Sequence, residues 1–188
     1  MTELEHRTRI LREARSWTGT PYHHQMSVKG AGCDCLGLVR GVWRALYGPE
    51  PQILPPYTPD WAERSARDLL SEAAARWLSP VEIVSAAPGD VLLFHYAPNG
   101  PARHCAILSA PDRILHAWRG QRVCETALGP WWRRRIAGAF AFPLLPERGS
   151  HGSASPVRRP ASRRVIPASR DGLAGWRPVC VRPARPAS

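Results

Sequence analysis

The chain has 188 residues, 44% of them apolar, and a formal net charge of +11, a size that supports one well-buried domain and excludes two large ones. The charge is gathered at one end: residues 149–188 hold eight arginines and one acid, Asp171, a net +7 against +4 for the first 148 residues. No apolar run is long enough to span a bilayer and Met1 to Arg15 lacks a signal-type apolar core, so the expectation is a chain made in the cytoplasm without a signal peptide.

Residues 3–17 read as a first helix, with Leu4, Ile10, Leu11, Ala14 and Trp17 on one side. Thr18-Gly19-Thr20-Pro21 breaks it, and Tyr22 to Gly32 is a loop. A second helix follows, with Asp34 as N-cap, Cys35 at its first position, Leu38, Val42 and Leu46 as an apolar stripe and Gly48-Pro49 as its stop. Residues 49–60 carry five prolines and form an extended connection before a third helix from Asp60 or Trp61 to Leu78. The pattern then changes to short β-like runs at residues 91–94, 104–108, 114–118, 122–124 and 137–144. Helices first and strands afterwards predict an α+β fold with an antiparallel sheet. The folded domain is placed at residues 1–147. The Arg-, Pro-, Ser- and Ala-rich tail, residues 148–188, is expected to be disordered, because it cannot bury enough apolar surface to offset its ordering entropy. It is read as a solvated tail; nucleic acid is not the expected partner, since no aromatic spacing supports base stacking.

Five cysteines at irregular positions (Cys33, Cys35, Cys105, Cys124 and Cys180) suit a thiol-bearing chain better than a disulfide framework. Of these, Cys35 sits where free backbone N–H groups and the helix dipole stabilise a thiolate and can hold the oxyanion formed when it attacks a carbonyl. Its partners are two histidines. If residues 104–108 and 114–118 form a hairpin with a loop of odd length, such as Ser109–Pro111, His104 pairs directly with His116 on one face. An even loop sends them to opposite faces. Under the odd-loop condition His104 forms the thiolate–imidazolium pair and a neutral His116 fixes its tautomer. Zinc is the rival for these side chains, but Cys33-x-Cys35 is not the usual knuckle spacing, and adjacent His104 and Cys105 face opposite ways in a strand. No metal and no cofactor are called for.

Several blocks resemble, in order, those of the NlpC/P60 cysteine peptidases: Thr20-Pro21-Tyr22, Gly32-x-Asp34-Cys35-x-Gly37-Leu38-Val39, Pro88-Gly89-Asp90-Val91-Leu92-Leu93-Phe94, His104-x-Ala106-Ile107 and Leu115-His116-Ala117. The likeness covers about residues 5–145. The wording of Gly32 to Arg44 and of Pro130 to Phe140 is similar to the branch encoded in tail modules of phages and gene transfer agents. The resemblance implies a papain-like fold and a Cys-His-His site in which Cys35 is the nucleophile, His104 the base and His116 the orienting residue. It implies hydrolysis of the peptide stems of bacterial peptidoglycan, commonly between D-γ-glutamate and diaminopimelate, and tail or baseplate proteins of a phage-like particle as partners. By the same likeness Tyr22 lines the site as a candidate substrate or oxyanion residue. Asp34 matches the acid before the nucleophile and joins Tyr22 as a candidate substrate or oxyanion residue, beside its role as N-cap, and Asp90 is read as structural. His23-His24-Gln25 stand where many members have Trp-Gly-Gly, and Leu36 stands where a serine is usual; both changes fall near the expected substrate groove. An amidase or acyltransferase using the same thiol and a catalytically silent structural tail protein are the alternative functions.

Overall fold

The computed structural model describes residues 1–52, 68–97 and 100–145. The tail over 148–188, and residues 53–67 with the first part of the expected third helix, lie outside the described residues.

Helix α1 (Glu3–Arg15) opens on a reciprocal cap, in which the Thr2 hydroxyl accepts the Glu5 N–H and the Glu5 carboxylate accepts the Thr2 N–H. A two-stranded ribbon, β1 (Ser27–Val28) and β2 (Gly32–Cys33), leads into helix α2 (Cys35–Tyr47). Trp17, just beyond α1, packs against Gly41 of α2, where a Cβ would stand 1.9 Å from the indole. Helix α3 (Leu69–Trp77) starts at Asp68, whose carboxylate accepts the Ser71 N–H at 3.0 Å.

The rest of the domain is a six-stranded antiparallel sheet of β3 (Ser79–Val81), β4 (Val91–His95), β5 (Ala102–Ala110), β6 (Arg113–His116), β7 (Cys124–Ala127) and β8 (Ile136–Ala141). Its order is β3-β8-β4-β5-β6-β7. Strand β3 was not expected. It contains Pro80, which cannot donate to a ladder, and it lies at the sheet edge where that loss is tolerated. The one-turn helix α4 (Pro130–Arg133) was likewise not expected; it precedes β8 and seats Trp132 on the sheet.

Alternation along the strands divides the core into two layers. Val91, Leu93, Cys105, Ile107 and Leu115 pack against Ile10, Ala14, Leu38, Val42 and Leu70 of the helices. Leu92, Phe94, Ala106, Leu108 and Ile114 pack on the opposite face with Leu128 and Trp132. Both faces are covered, which is why β4 and β5 read as continuous apolar runs rather than alternating ones. Asp90 is structural: its carboxylate takes the Arg7 guanidinium at 2.7 Å and the Ala87 N–H at 2.8 Å, fastening the Pro-Gly turn before β4 to α1. Cys33, Cys35 and Cys105 are free thiols. Cys124 is disulfide-bonded, which departs from the thiol-bearing reading at that position.

Candidate active site

The first turn of α2 is built around Asp34. One carboxylate oxygen accepts the Gly37 N–H at 2.7 Å, which is the N-cap bond. The other accepts the Gln25 N–H at 2.8 Å, with His24 Nδ1 3.6 Å away. Asp34 is only 2% exposed, and it ties the His23–Gln25 loop to the helix entrance. Its role in the structure is therefore to cap and to anchor. Gly37 is needed for the same contact, because a Cβ there would stand 2.0 Å from the Met26 carbonyl oxygen as the loop crosses the helix. At the opened end sits Cys35, partly exposed, beside first-turn N–H groups that have no acceptor within the helix.

The β5–β6 hairpin brings His104 and His116 onto one face, by a different route from the one expected. Its turn is two residues, Pro111-Asp112, an even loop that would have separated them. Ala110 pairs with Arg113, yet Leu108 pairs with Ile114 and Ile107 with Leu115, so Ser109 is an extra residue bulged out of the ladder. That one residue restores the parity. By this register His116 lies opposite Ala106, and His104 is its diagonal neighbour, not its direct partner. The rings meet edge to face with centroids 5.1 Å apart, and His104 Nε2 lies 2.9 Å from His116 Nδ1. The bulge is held from outside by Arg15, which donates to the Ser109 carbonyl at 2.9 Å.

Two further residues join the array: Thr126, which sequence reasoning did not single out, and Cys105, which it weighed only as a zinc ligand. His116 Nε2 is 2.9 Å from the Thr126 hydroxyl on β7. Thr126 is reached only through the β6–β7 pairing, and no local motif marks it. The second is Cys105, whose thiol hydrogen-bonds the Cys35 side chain from the helix-facing layer. His104 and Cys105 do point to opposite sheet faces, as the strand alternation requires, and Cys35 at the sheet end interacts with both. On its other flank Cys105 borders a cavity of about 100 Å³ with Leu36, Val39, Trp43 and Trp77.

The electrostatics separate these groups. The hydrogen bond from Cys105, followed by the charge of His104, holds the Cys35 thiol well below the ordinary cysteine range against the opposing effect of burial. The same contact and burial push Cys105 up, so it remains a thiol and a donor. Cys33 is raised to about 12 by burial and by the neighbouring Asp34 and Cys35, which leaves it inert. Burial, with the charge of His104, takes His116 well below the usual histidine value. A neutral His116 can accept from His104 Nε2–H on Nδ1 and donate Nε2–H to Thr126, so the chain of bonds is satisfied while His104 carries the proton. That leaves His104 Nδ1 for the thiol. Tyr22 is strapped beside Cys33 by the Cys33 N–H bond to the Pro21 carbonyl at 3.0 Å. Burial, and after it the charge of Cys35, raises its phenol to about 12, so it stands near the Cys35 thiol as a neutral O–H. Trp118 and Trp132 wall His104 on its outer side, with ring centroids 5.1 and 5.4 Å away.

The sequence matches the model of the NlpC/P60 family over residues 19–141. Among solved structures, an NLP/P60-family protein of Staphylococcus aureus superposes with a TM-score of 0.51 at 21% identity, over 77% of this chain and 43% of the other. A Bacillus cereus NlpC/P60 family protein gives 0.52 at 19% identity, over 74% and 40%. The peptidoglycan hydrolase RipB of Mycobacterium tuberculosis gives 0.51 at 16%, over 77% and 70%. At these identities the likeness is one of fold, and this chain spans less than half the length of the first two. No curated protein matches the sequence.

Proposed function

The chain belongs to the NlpC/P60 family, and from that premise we propose that it is a cysteine endopeptidase that hydrolyses peptide stems of bacterial peptidoglycan, at the bond between D-γ-glutamate and diaminopimelate. The observation that carries the proposal is the connected array Cys35–His104–His116–Thr126 at the N-terminus of α2. The Cys35 thiolate attacks the amide carbonyl carbon, and the oxyanion forms beside the first-turn N–H groups of α2, with the Tyr22 O–H as a further donor. His104, as imidazolium, gives its proton to the leaving amine as the C–N bond breaks, leaving a thioester on Cys35. Neutral His104 then takes a proton from water, which attacks the thioester and returns the thiolate. His116 and Thr126 keep the His104 ring oriented and its tautomer fixed. RipB, described as a peptidoglycan hydrolase, supports the substrate class through the shared family.

The test is incubation of wild type and Cys35→Ala with diaminopimelate-type peptidoglycan, followed by mass spectrometry of the released fragments. Cleavage at the γ-glutamyl bond by wild type alone is the expected result. Release of whole stems from the sugar would replace the endopeptidase with an amidase, and equal activity in Cys35→Ala would remove the nucleophile. We also propose that the protein is made in the cytoplasm and reaches the wall as a component of a phage-like tail. This rests on the wording of residues 32–44 and 130–140, and it is checked by looking for the protein in purified particles.

A further inference from the structure

Two tyrosines lie in electrostatic range of Cys35, each with an arginine near it, and the two pairs differ in their surroundings. Tyr22 has Arg119 near it, and Arg119 is exposed to solvent. Tyr96 is half-buried, lies edge-on to Trp118 with ring centroids 6.1 Å apart, and has both Cys35 and Arg103 in electrostatic range. Arg103 immediately precedes His104 and is the extra residue of the β5 bulge opposite Phe94 and His95.

Among the described residues two arginines keep a buried guanidinium nitrogen without a hydrogen-bond partner; Arg135 is stacked on Trp131, and Arg103 is the one in range of Tyr96. Its Nη1 is buried and has no hydrogen-bond partner. The other partly buried arginines near the helices are matched: Arg7 with Asp90, and Arg40 and Arg44 with Glu50. A buried charged donor without an acceptor is costly, and the cost is recovered when an acceptor arrives from outside the chain. The acceptor that suits a planar, always-charged fork is a carboxylate.

We propose that Arg103 is a specificity-determining residue that receives a carboxylate carried by the peptide substrate beside the scissile amide, with the Tyr96 O–H as a second donor. This deepens the hydrolase reading given above and rests on it. A γ-linked glutamate leaves its α-carboxylate free next to the bond to be cut, whereas an amidated stem presents a neutral carboxamide there. The subsite therefore selects unamidated stems.

The experiment measures binding, so that turnover is not needed. Two probes, L-alanyl-γ-D-glutamyl-diaminopimelate and its α-carboxamide twin, are titrated calorimetrically into the Cys35→Ala protein. The acid form is expected to bind about tenfold more tightly, the effect of one charge-assisted hydrogen bond. Adding Arg103→Gln should bring the two affinities together, and Arg103→Lys should keep part of the preference. Arg119→Gln, which removes the same charge from the exposed arginine near Tyr22, should leave the ratio intact. Equal binding of the two probes by Cys35→Ala, binding of neither, or a ratio that survives Arg103→Gln overturns the subsite. If wild type cleaves neither peptide while the binding ratio stands and depends on Arg103, it is the hydrolase reading that fails and the subsite that remains.

Discussion

Two histidine relays are buried in this domain, and they differ at one end. In the first, His6 of α1 lies 2.8 Å from the Tyr47 hydroxyl of α2, and that hydroxyl donates to the Pro143 carbonyl at 2.6 Å. In the second, His104 meets His116, and His116 meets Thr126. Burial lowers the affinity of both His6 and His116 for a proton. The first relay stops on a backbone carbonyl, so every proton in it has a single home and it serves as a clasp between the helices and the end of the domain. The second continues through His104 to a low-lying thiol at a helix entrance. Burial and hydrogen bonding are common to both; what sets the second one apart is that it leads to a thiol held well below its ordinary range.

The sharpest way to break this contrast is to cut each relay at its histidine. His104→Ala should reduce hydrolysis per folded molecule on the order of 10³-fold, a loss well beyond the destabilisation that comes with removing a buried, hydrogen-bonded ring. His6→Leu should leave the rate per folded molecule unchanged and cost about 1–3 kcal/mol of stability, because the Tyr47 hydroxyl loses its donor. Matched activity assays and denaturant melts separate the two outcomes, and similar rate losses in both variants would erase the distinction.

Thr126→Val tests the far end of the relay proposed to serve catalysis. It strands the His116 Nε2–H, and kcat should fall about tenfold with KM unchanged, consistent with a loosened His104 tautomer. Thr126→Ser should restore most of the rate, which a purely packing role for the Thr126 methyl would not allow.

Cys105→Ala sharpens the near end. Cys35 titrates below an ordinary thiol, so the thiolate is present above that lowered value and is lost as pH falls through it. Without the Cys105 donor the Cys35 value rises. The acid limb of kcat/KM, and the midpoint of iodoacetamide alkylation, should both move to higher pH, with little change at pH 9. Unmoved midpoints would show that His104 and the helix alone set the Cys35 value.

The smallest effect concerns stability against pH, where the two relays should behave alike. His6 and His116 both have folded values below the unfolded one near 6.5. The unfolded chain then binds more protons than the folded one, so stability is full above about pH 6.5 and declines as pH falls from there toward the folded values. His6→Leu should flatten part of that decline, measured as melting temperature between pH 7 and pH 5.

The parts of this site that could be read from the sequence are those fixed within a few residues of chain. Asp34 as cap and Cys35 at the helix entrance follow from the apolar stripe of Leu38, Val42 and Leu46 and its Gly48-Pro49 stop, and the structure has the cap bond, from the Gly37 N–H. The pairing of helices with an antiparallel sheet followed from periodicity. What was not legible depends on pairing across the sheet. Thr126 joins through β7, and Cys105 reaches Cys35 through helix-on-sheet packing, neither of which leaves a local mark. Pro80 concealed β3, because only its edge position makes a proline acceptable there. The shared face of His104 and His116 was anticipated for a reason the backbone does not use: the odd residue lies in a bulge, where sequence signals are weak, and not in the turn.

That bulge has a consequence for how the chain can change. Hairpin tips on protein surfaces ordinarily absorb insertions and deletions at little cost. Here the length of the link between His104 and His116 is a matter of counting. Removing Ser109, or adding one residue beside it, would set the two imidazoles on opposite sides of the sheet while leaving composition, hydropathy and nearly all of the ladder as they were. A change of two residues at the turn would preserve the arrangement. The hairpin thus works as a phase setting for a buried proton path, and variation in its length is constrained by parity more than by size.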